Sequence, residues 1–187
     1  MRLEGEIALI TGSTSGIGLG IAECLAARGA DVLLHGLGDP AENAGIAADL
    51  ATRHGIRCRF LEGDLSRVEA CEALAEVSVQ SLGEAPTILV NNAGVQFTVR
   101  VEDFPAGRWD LLLAVNLSAP FHLSRLLLPH FRQRGRGRII NIASVHGQVA
   151  SAEKSAYVAA KHGLIGLTKV IALENVDADI TCNAICP

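Results

Sequence analysis

The sequence is 187 residues long, enough for one domain with a sizeable core, and 49% of it is apolar with only 4% aromatic. Such a core must be built from Ala, Val, Ile and Leu, which suits a buried parallel sheet covered by helices. A net charge of −4 sets up no global field toward nucleic acid or an anionic membrane, and neither is expected as a partner.

The N-terminus, MRLEGEIALITG, has no cleavage-site pattern, and apolar segments are interrupted by charges or turn signals before they reach membrane length. Glu6–Thr11 reads as a strand, followed at once by GSTSGIGLG and a helical pattern at Ile17, Ile21, Leu25 and Ala26. Strand, glycine-rich turn and helix is the arrangement in which backbone N–H groups and a helix N-terminus receive a phosphate. Gly12, Gly16 and Gly18 suit the tight turn, the close approach of a pyrophosphate and helix-to-strand contact.

Asp31–His35 is a second strand, and a helix follows from Ala41 to His54. Ile56–Leu61 makes a third, with Asp64 just beyond it in GDLS before a helix over Arg67–Leu82. Thr87–Val90 is a fourth strand that runs into Asn91-Asn92-Ala93-Gly94. A long helix from Arg108 to Phe131 carries Asn116 and Pro120, and the proline's missing donor predicts a kink. The basic run Arg132–Arg138 reads as a solvated turn into a fifth strand, Arg138–Ala143. A helix over Ser155–Asn175 and a sixth strand, Asp179–Ile185, complete the chain. The alternation predicts a single α/β domain over residues 1–187, a doubly wound parallel sheet in order 3-2-1-4-5-6 with right-handed crossovers.

Five scattered cysteines, Cys24, Cys58, Cys71, Cys182 and Cys186, argue for reduced thiols and a cytoplasmic protein. With no His or Cys cluster beside Cys182 and Cys186, no metal site is expected.

The stretch Ser144–Lys161 carries the chemistry. On a helix, Tyr157 and Lys161 share one face. Tyrosine is a poor base at neutral pH. A fixed cation one helical turn away favours its phenolate, and a second positive charge nearby would bring it into working range. Ser144, just past the fifth strand, offers a neutral hydroxyl to polarise a carbonyl. Taken alone the pair is also compatible with a surface tyrosine beside a solvated lysine.

TGSTSGIG at Thr11–Gly18, NNAG at Asn91–Gly94, Asn116, Ser144 and Tyr157-x-x-x-Lys161 occur together in this order. With them the chain resembles a short-chain dehydrogenase/reductase, a Rossmann-type fold. The resemblance implies that Thr11, Gly12, Ser15, Gly16, Ile17 and Gly18 hold a dinucleotide. It implies that Asp64 and Leu65 contact the adenine, and that Asn91, Ala93 and Gly94 line the path to the nicotinamide. Ser144 would orient the substrate oxygen, with Tyr157 as general base in oxidation and general acid in reduction. Lys161 would assist the tyrosine and bond the nicotinamide ribose, and Asn116 would hold a water in a proton relay. The oxidised nicotinamide would be the second positive charge.

NAD is the expected cofactor, because Ser15 and Leu37 stand where members that bind NADP usually carry a basic residue. Gly36 occupies the place of the usual acidic NAD marker, leaving Asp39 as a substitute for ribose recognition. Gln96, His146 and Lys154 lie near the catalytic set in sequence and would suit a small carboxylate. In these residues the chain is similar to the branch of the family that oxidises (R)-3-hydroxybutyrate to acetoacetate. A 3-oxoacyl-carrier-protein reductase, a sugar dehydrogenase or a non-catalytic nucleotide-binding fragment are the alternatives. Family members continue beyond the position of Pro187 with a substrate-covering segment and a last strand, so weak turnover is expected of a chain truncated there. A homo-oligomer, at least a dimer through the 108–131 and 155–175 helices, is implied.

Overall fold

The computed structural model describes residues 2–187. Six strands form one parallel sheet: β1 (Ile7–Ile10), β2 (Asp31–Gly36), β3 (Cys58–Glu62), β4 (Ile88–Asn91), β5 (Arg136–Ile142) and β6 (Asp179–Ile185). Their order is β3-β2-β1-β4-β5-β6, as the alternation of strands and helices predicts. The helices are α1 (Gly16–Ala26), α2 (Pro40–His54), α3 (Val68–Ser81), α4 (Ala106–Leu113), α5 (Ala119–Arg134) and α6 (Ser155–Leu173).

The two-residue period of a strand divides its apolar side chains between the two faces of the sheet. Ile7, Leu9, Leu33, Leu89 and Ile139 enter one core with Leu74 of α3, Leu123, Leu127 and Phe131 of α5, and Ile171 of α6. Ala8, Ile10, Val32, Leu34, Ile88 and Val90 enter the other, against Ala22 and Ala26 of α1 and Ala47 and Leu50 of α2. Leu123, Leu127 and Phe131 recur every four residues, and all three are fully buried. Each stabilises the fold by roughly 1.5–3 kcal/mol through apolar burial.

The long helix differs from its expected form. It runs from Ala106 to Arg134 and contains a π turn, Ala114–Ser118, between α4 and α5. The Ala119 N–H bonds to Ala114 O, five residues back. Pro120 has no N–H to continue a regular ladder, so a wide turn absorbs the missing donor. By length and composition this helix and α6 could each cross a membrane, yet their apolar faces pack on the sheet.

The basic run is the expected helix-to-strand turn, exposed over residues 132–135, and its arginines are paired. Only Gly135, at φ +77°, separates α5 from β5. Arg136 pairs with the nearly buried Glu6 at 2.9 Å, Arg138 with Asp179 at 2.6 Å, and Arg134 with Glu84. These arginines fasten the ends of three strands and α3's exit loop.

Candidate active site

In a doubly wound sheet, ligands bind at the carboxyl ends of the strands. Here the ends of β1, β4 and β5 open onto two adjoining cavities of about 600 and 240 Å³. Both are bounded by Ile17, Asn92, Gly94 and Val95.

The larger cavity is built on the glycine turn. A side chain at Gly12 would meet Ala93 Cα at 2.9 Å, and one at Gly18 would lie 2.2 Å from Gly12 O. Close approach between backbones therefore fixes both glycines. Asn92 holds the turn from the β4 side, its Nδ2 donating to Thr11 O and Gly12 O at 2.9 and 2.8 Å. Ser15, at the head of α1, makes no side-chain cap, which leaves first-turn N–H groups unclaimed by that side chain. Backbone N–H groups at the head of α1, left without a side-chain cap beside this tight turn, fit a dinucleotide phosphate.

Of the expected dinucleotide residues, Gly12, Ser15, Ile17, Gly18, Asp64, Leu65, Ala93 and Gly94 line this cavity. Gly16 sits in the turn at φ +55°, outside the wall. Thr11 and Asn91 act from behind it. Thr11 Oγ1 accepts from the N–H groups of Asn92 and Ala93, both at 3.0 Å. Asn91 Nδ2 donates to Asn141 Oδ1 at 2.8 Å, clamping β4 to β5. Asp39, the expected substitute for ribose recognition, does not line this cavity. It caps α2, accepting from Ala41 N and Glu42 N at 2.7 and 3.3 Å, away from the cavity wall. A side chain at Gly36 would lie 2.8 Å from Thr14 Oγ1, so the usual acidic marker could stand there only if Thr14 moved.

The smaller cavity is walled by Gln96, Asn116, Ser144, Tyr157 and Lys161, among others. Ser144 lies two residues past β5 and is held from the sheet edge. Ala143 N–H donates to Ile185 O at 2.8 Å, and Val145 N–H donates to Pro187 O at 3.0 Å. The Ser144 hydroxyl accepts from His146 N–H at 3.2 Å. One turn apart on α6, Lys161 Nζ stands 5.5 Å from the centre of the Tyr157 ring. The same ammonium donates to Ile142 O at 2.8 Å. Burial lowers the Lys161 pKa to about 8, with Cys186 pulling the other way; the group is still a cation at neutral pH.

Asn116 lies in the π turn, fully buried. Its Nδ2 donates to Val95 O and Leu112 O, both at 2.9 Å, while Oδ1 has no partner among the described residues. A Cβ on Gly94 would come within 2.8 Å of that oxygen and 3.9 Å of Lys161 Nζ. Gly94 thus keeps open the space between an unpaired acceptor and the lysine, a place for water.

Gln96 is in the wall of the smaller cavity, and His146 and Lys154 stand just beyond it. Lys154 Nζ is 3.4 Å from His146 Nε2, and the imidazole meets the Tyr157 ring edge-on at 6.3 Å. The loop bearing Gln96 is tied to the start of α6 where Val99 N–H donates to Glu153 O at 2.9 Å. Glu153 takes a positive φ of 62°, a conformation costly for a side-chain-bearing residue. Gln96, from a distant loop, thus shares a cavity wall with Tyr157, beside the nearby His146–Lys154 pair.

Sequence reasoning passed over Thr14, His35, Gly63 and Pro187 as parts of the cavity walls. Their common signal is position, each at or just past the end of a strand, where loops of this sheet carry function.

A doubly wound Rossmann-type sheet with a glycine cradle beside a Ser/Tyr/Lys pocket defines an oxidoreductase architecture, and residues 6–187 match the family model for short chain dehydrogenase. The chain belongs to that family. It is 51% identical over 185 residues to D-beta-hydroxybutyrate dehydrogenase from Cupriavidus necator, covering 99% of this chain and 70% of the relative. The enzyme of the same name from Rhizobium meliloti is 48% identical over 182 residues, covering 97% and 70%. A solved structure of a short-chain alcohol dehydrogenase from Sinorhizobium meliloti matches with a TM-score of 0.93 at 32% identity, covering 100% of this chain and 73% of that one.

Proposed function

We propose that the chain oxidises (R)-3-hydroxybutyrate to acetoacetate with NAD. The observation that carries the substrate choice is the Lys154–His146 pair beside Tyr157, a cation and an imidazole placed to take a carboxylate while the neighbouring hydroxyl meets the tyrosine. Gln96 supplies an amide on the facing loop. Relatives at 51% and 48% identity bear the name of the same activity.

The chain's own groups divide the work as follows. Ser144 donates its hydroxyl to the substrate oxygen and fixes its position. Tyr157 removes the hydroxyl proton as general base, and the Lys161 ammonium stabilises the phenolate that does so. A water on Asn116 Oδ1, beside Lys161, carries the released proton onward. When bound, nicotinamide supplies the hydride acceptor and a positive charge. Thr11, Gly12, Ser15, Gly16, Ile17, Gly18, Asp64, Leu65, Asn91, Ala93 and Gly94 form or brace its site. No basic residue at Ser15 or Leu37 meets a 2′-phosphate, which supports NAD over NADP. The five free thiols suit a reducing cytoplasm. A dimer through the α4–α5 helix and α6 completes the reading.

Steady-state assays with both enantiomers and both dinucleotides test it. Turnover is expected with the (R)-acid and NAD. Tyr157→Phe should lower kcat by about 10²–10⁴-fold. Lys154→Ala should raise KM for hydroxybutyrate by roughly 10–100-fold and leave KM for NAD within a factor of about two. A Lys154→Ala enzyme with unchanged hydroxybutyrate kinetics would remove the carboxylate anchor.

A further inference from the structure

His35, the next-to-last residue of β2, lies in the wall of the larger cavity, 3% exposed, and nothing in the hydride-transfer chemistry uses it. Its imidazole bridges two other walls. Nδ1 accepts the Gly12 N–H at 3.3 Å, and Nε2 lies 2.9 Å from Gly63 O. Only the neutral tautomer protonated at Nε2 satisfies both contacts, since Gly12 offers a donor and Gly63 an acceptor. The backbone repeats the tie one residue away. Ser13 N–H donates to His35 O at 2.8 Å, and His35 N–H donates to Ser13 Oγ at 3.0 Å. The glycine turn after β1, the end of β2 and the segment after β3 are thus joined through one side chain.

We propose that His35 is a positioning residue for dinucleotide binding: in its neutral form it holds the Gly12 turn against the β3 side, and protonation releases the turn and weakens binding. The inference rests on the dinucleotide reading of the larger cavity. A protonated imidazole carries hydrogen on both nitrogens, so Nδ1–H would point at the Gly12 N–H and that contact would turn from attractive to repulsive. Burial lowers the His35 pKa, its bond to Gly63 O opposing the shift in part, so the latch is shut at neutral pH and opens on acidification below the ordinary histidine range. On the elements packed around it, the turn Thr11–Ile17 carries no ionisable group. β3 carries Cys58, Arg59 and Glu62, Asp64 and Arg67 follow it, and the first turn of α3 carries Glu69 and Cys71.

Two variants separate positioning from bulk. In His35→Asn the amide oxygen takes the place of Nδ1 and cannot titrate. In His35→Leu no acceptor remains. Calorimetric titration with NAD between pH 7.5 and 5 is expected to show wild-type affinity holding near neutral pH and falling toward the acid end of that range, below the ordinary histidine titration. The Asn variant should bind within about threefold of wild type at pH 7.5 and lack the acid limb, and the Leu variant should bind about tenfold more weakly throughout. A wild-type affinity that is flat with pH, or an Asn variant with an unchanged acid limb, overturns the proposal. An NMR titration of the free protein judges the latch without nucleotide or a second folded variant: the Gly12 amide should shift in step with the His35 imidazole. A Gly12 amide unmoved while His35 titrates overturns it as well. Wild-type protein that binds no NAD at pH 7.5 would instead defeat the dinucleotide reading and leave the NMR result to decide the latch.

Discussion

Lys161 is asked to be both a cation and a core residue. It is 4% exposed, and among the described residues only Ile142 O takes a hydrogen bond from it. Its folded pKa of about 8 lies below the ordinary value of 10.5. Between these values the unfolded chain binds the additional proton, so stability rises as pH climbs from 8 through 10.5, and the cost of the buried charge is fully present below 8. Lys161→Met should therefore stabilise the free protein by about 1–2 kcal/mol at pH 7 while abolishing turnover. Thermal melts should show that advantage vanishing by about pH 10.5; an equal advantage at both pH values would mean that packing, not charge, was relieved. The Tyr157–Lys161 face was legible from spacing alone because helix geometry fixes it. His35 was not legible, since a histidine ending a strand reads the same whether it bonds water or backbone. Thr11 and Asn91 were readable as motif members, but their bracing roles depend on β4 lying between β1 and β5, a contact across some fifty to eighty residues.

At the level of elements, the turns hold what the strands and helices frame. Strand order and nearly all element positions could be read from periodicity and glycine placement. The π turn could not: Pro120 announces a missing donor, but whether the helix kinks or widens is decided by the packing of Asn116 against Val95 and Leu112. The basic run before β5 was readable as an exposed turn, but not its partners, because the acids that pair with its arginines lie far away in sequence. In the phosphate turn, Gly18→Ala drives a methyl into Gly12 O and Asn92 Nδ2, at 2.2 and 2.4 Å from the ideal Cβ. Since Gly12 O belongs to the backbone of the turn, relief requires the turn to move. Urea denaturation should show a loss of about 2–3 kcal/mol, and calorimetry should show NAD binding reduced beyond the change in stability. A Gly18→Ala protein that binds NAD normally would mean the turn can open without cost.

For the molecule as a whole, a groove between α5 and α6 is bordered by exposed Phe121 and Val170, with Leu173 exposed at the end of α6, which is the face the proposed dimer would use. Light scattering at micromolar concentration should report twice the chain mass. Val170→Glu together with Leu173→Glu should shift it to the monomer, since two charges placed in an apolar contact cost several kcal/mol of association. A wild-type chain that runs as a monomer at that concentration would exclude the dimer.

The position of β1 has a consequence in time. It lies between β2 and β4, and Asn92, which ties down Thr11 and Gly12, comes 81 residues after Thr11. On a ribosome adding about 5–20 residues per second, that interval lasts roughly 4–16 seconds. Until it has passed, the nascent chain has a β1–β2 pair with one flank bare and no closed phosphate turn. Ligand in the surrounding solution can stabilise only a site that exists, so nucleotide cannot aid this fold until its middle has been made. The first half of the chain must stay out of aggregates unaided or with a chaperone.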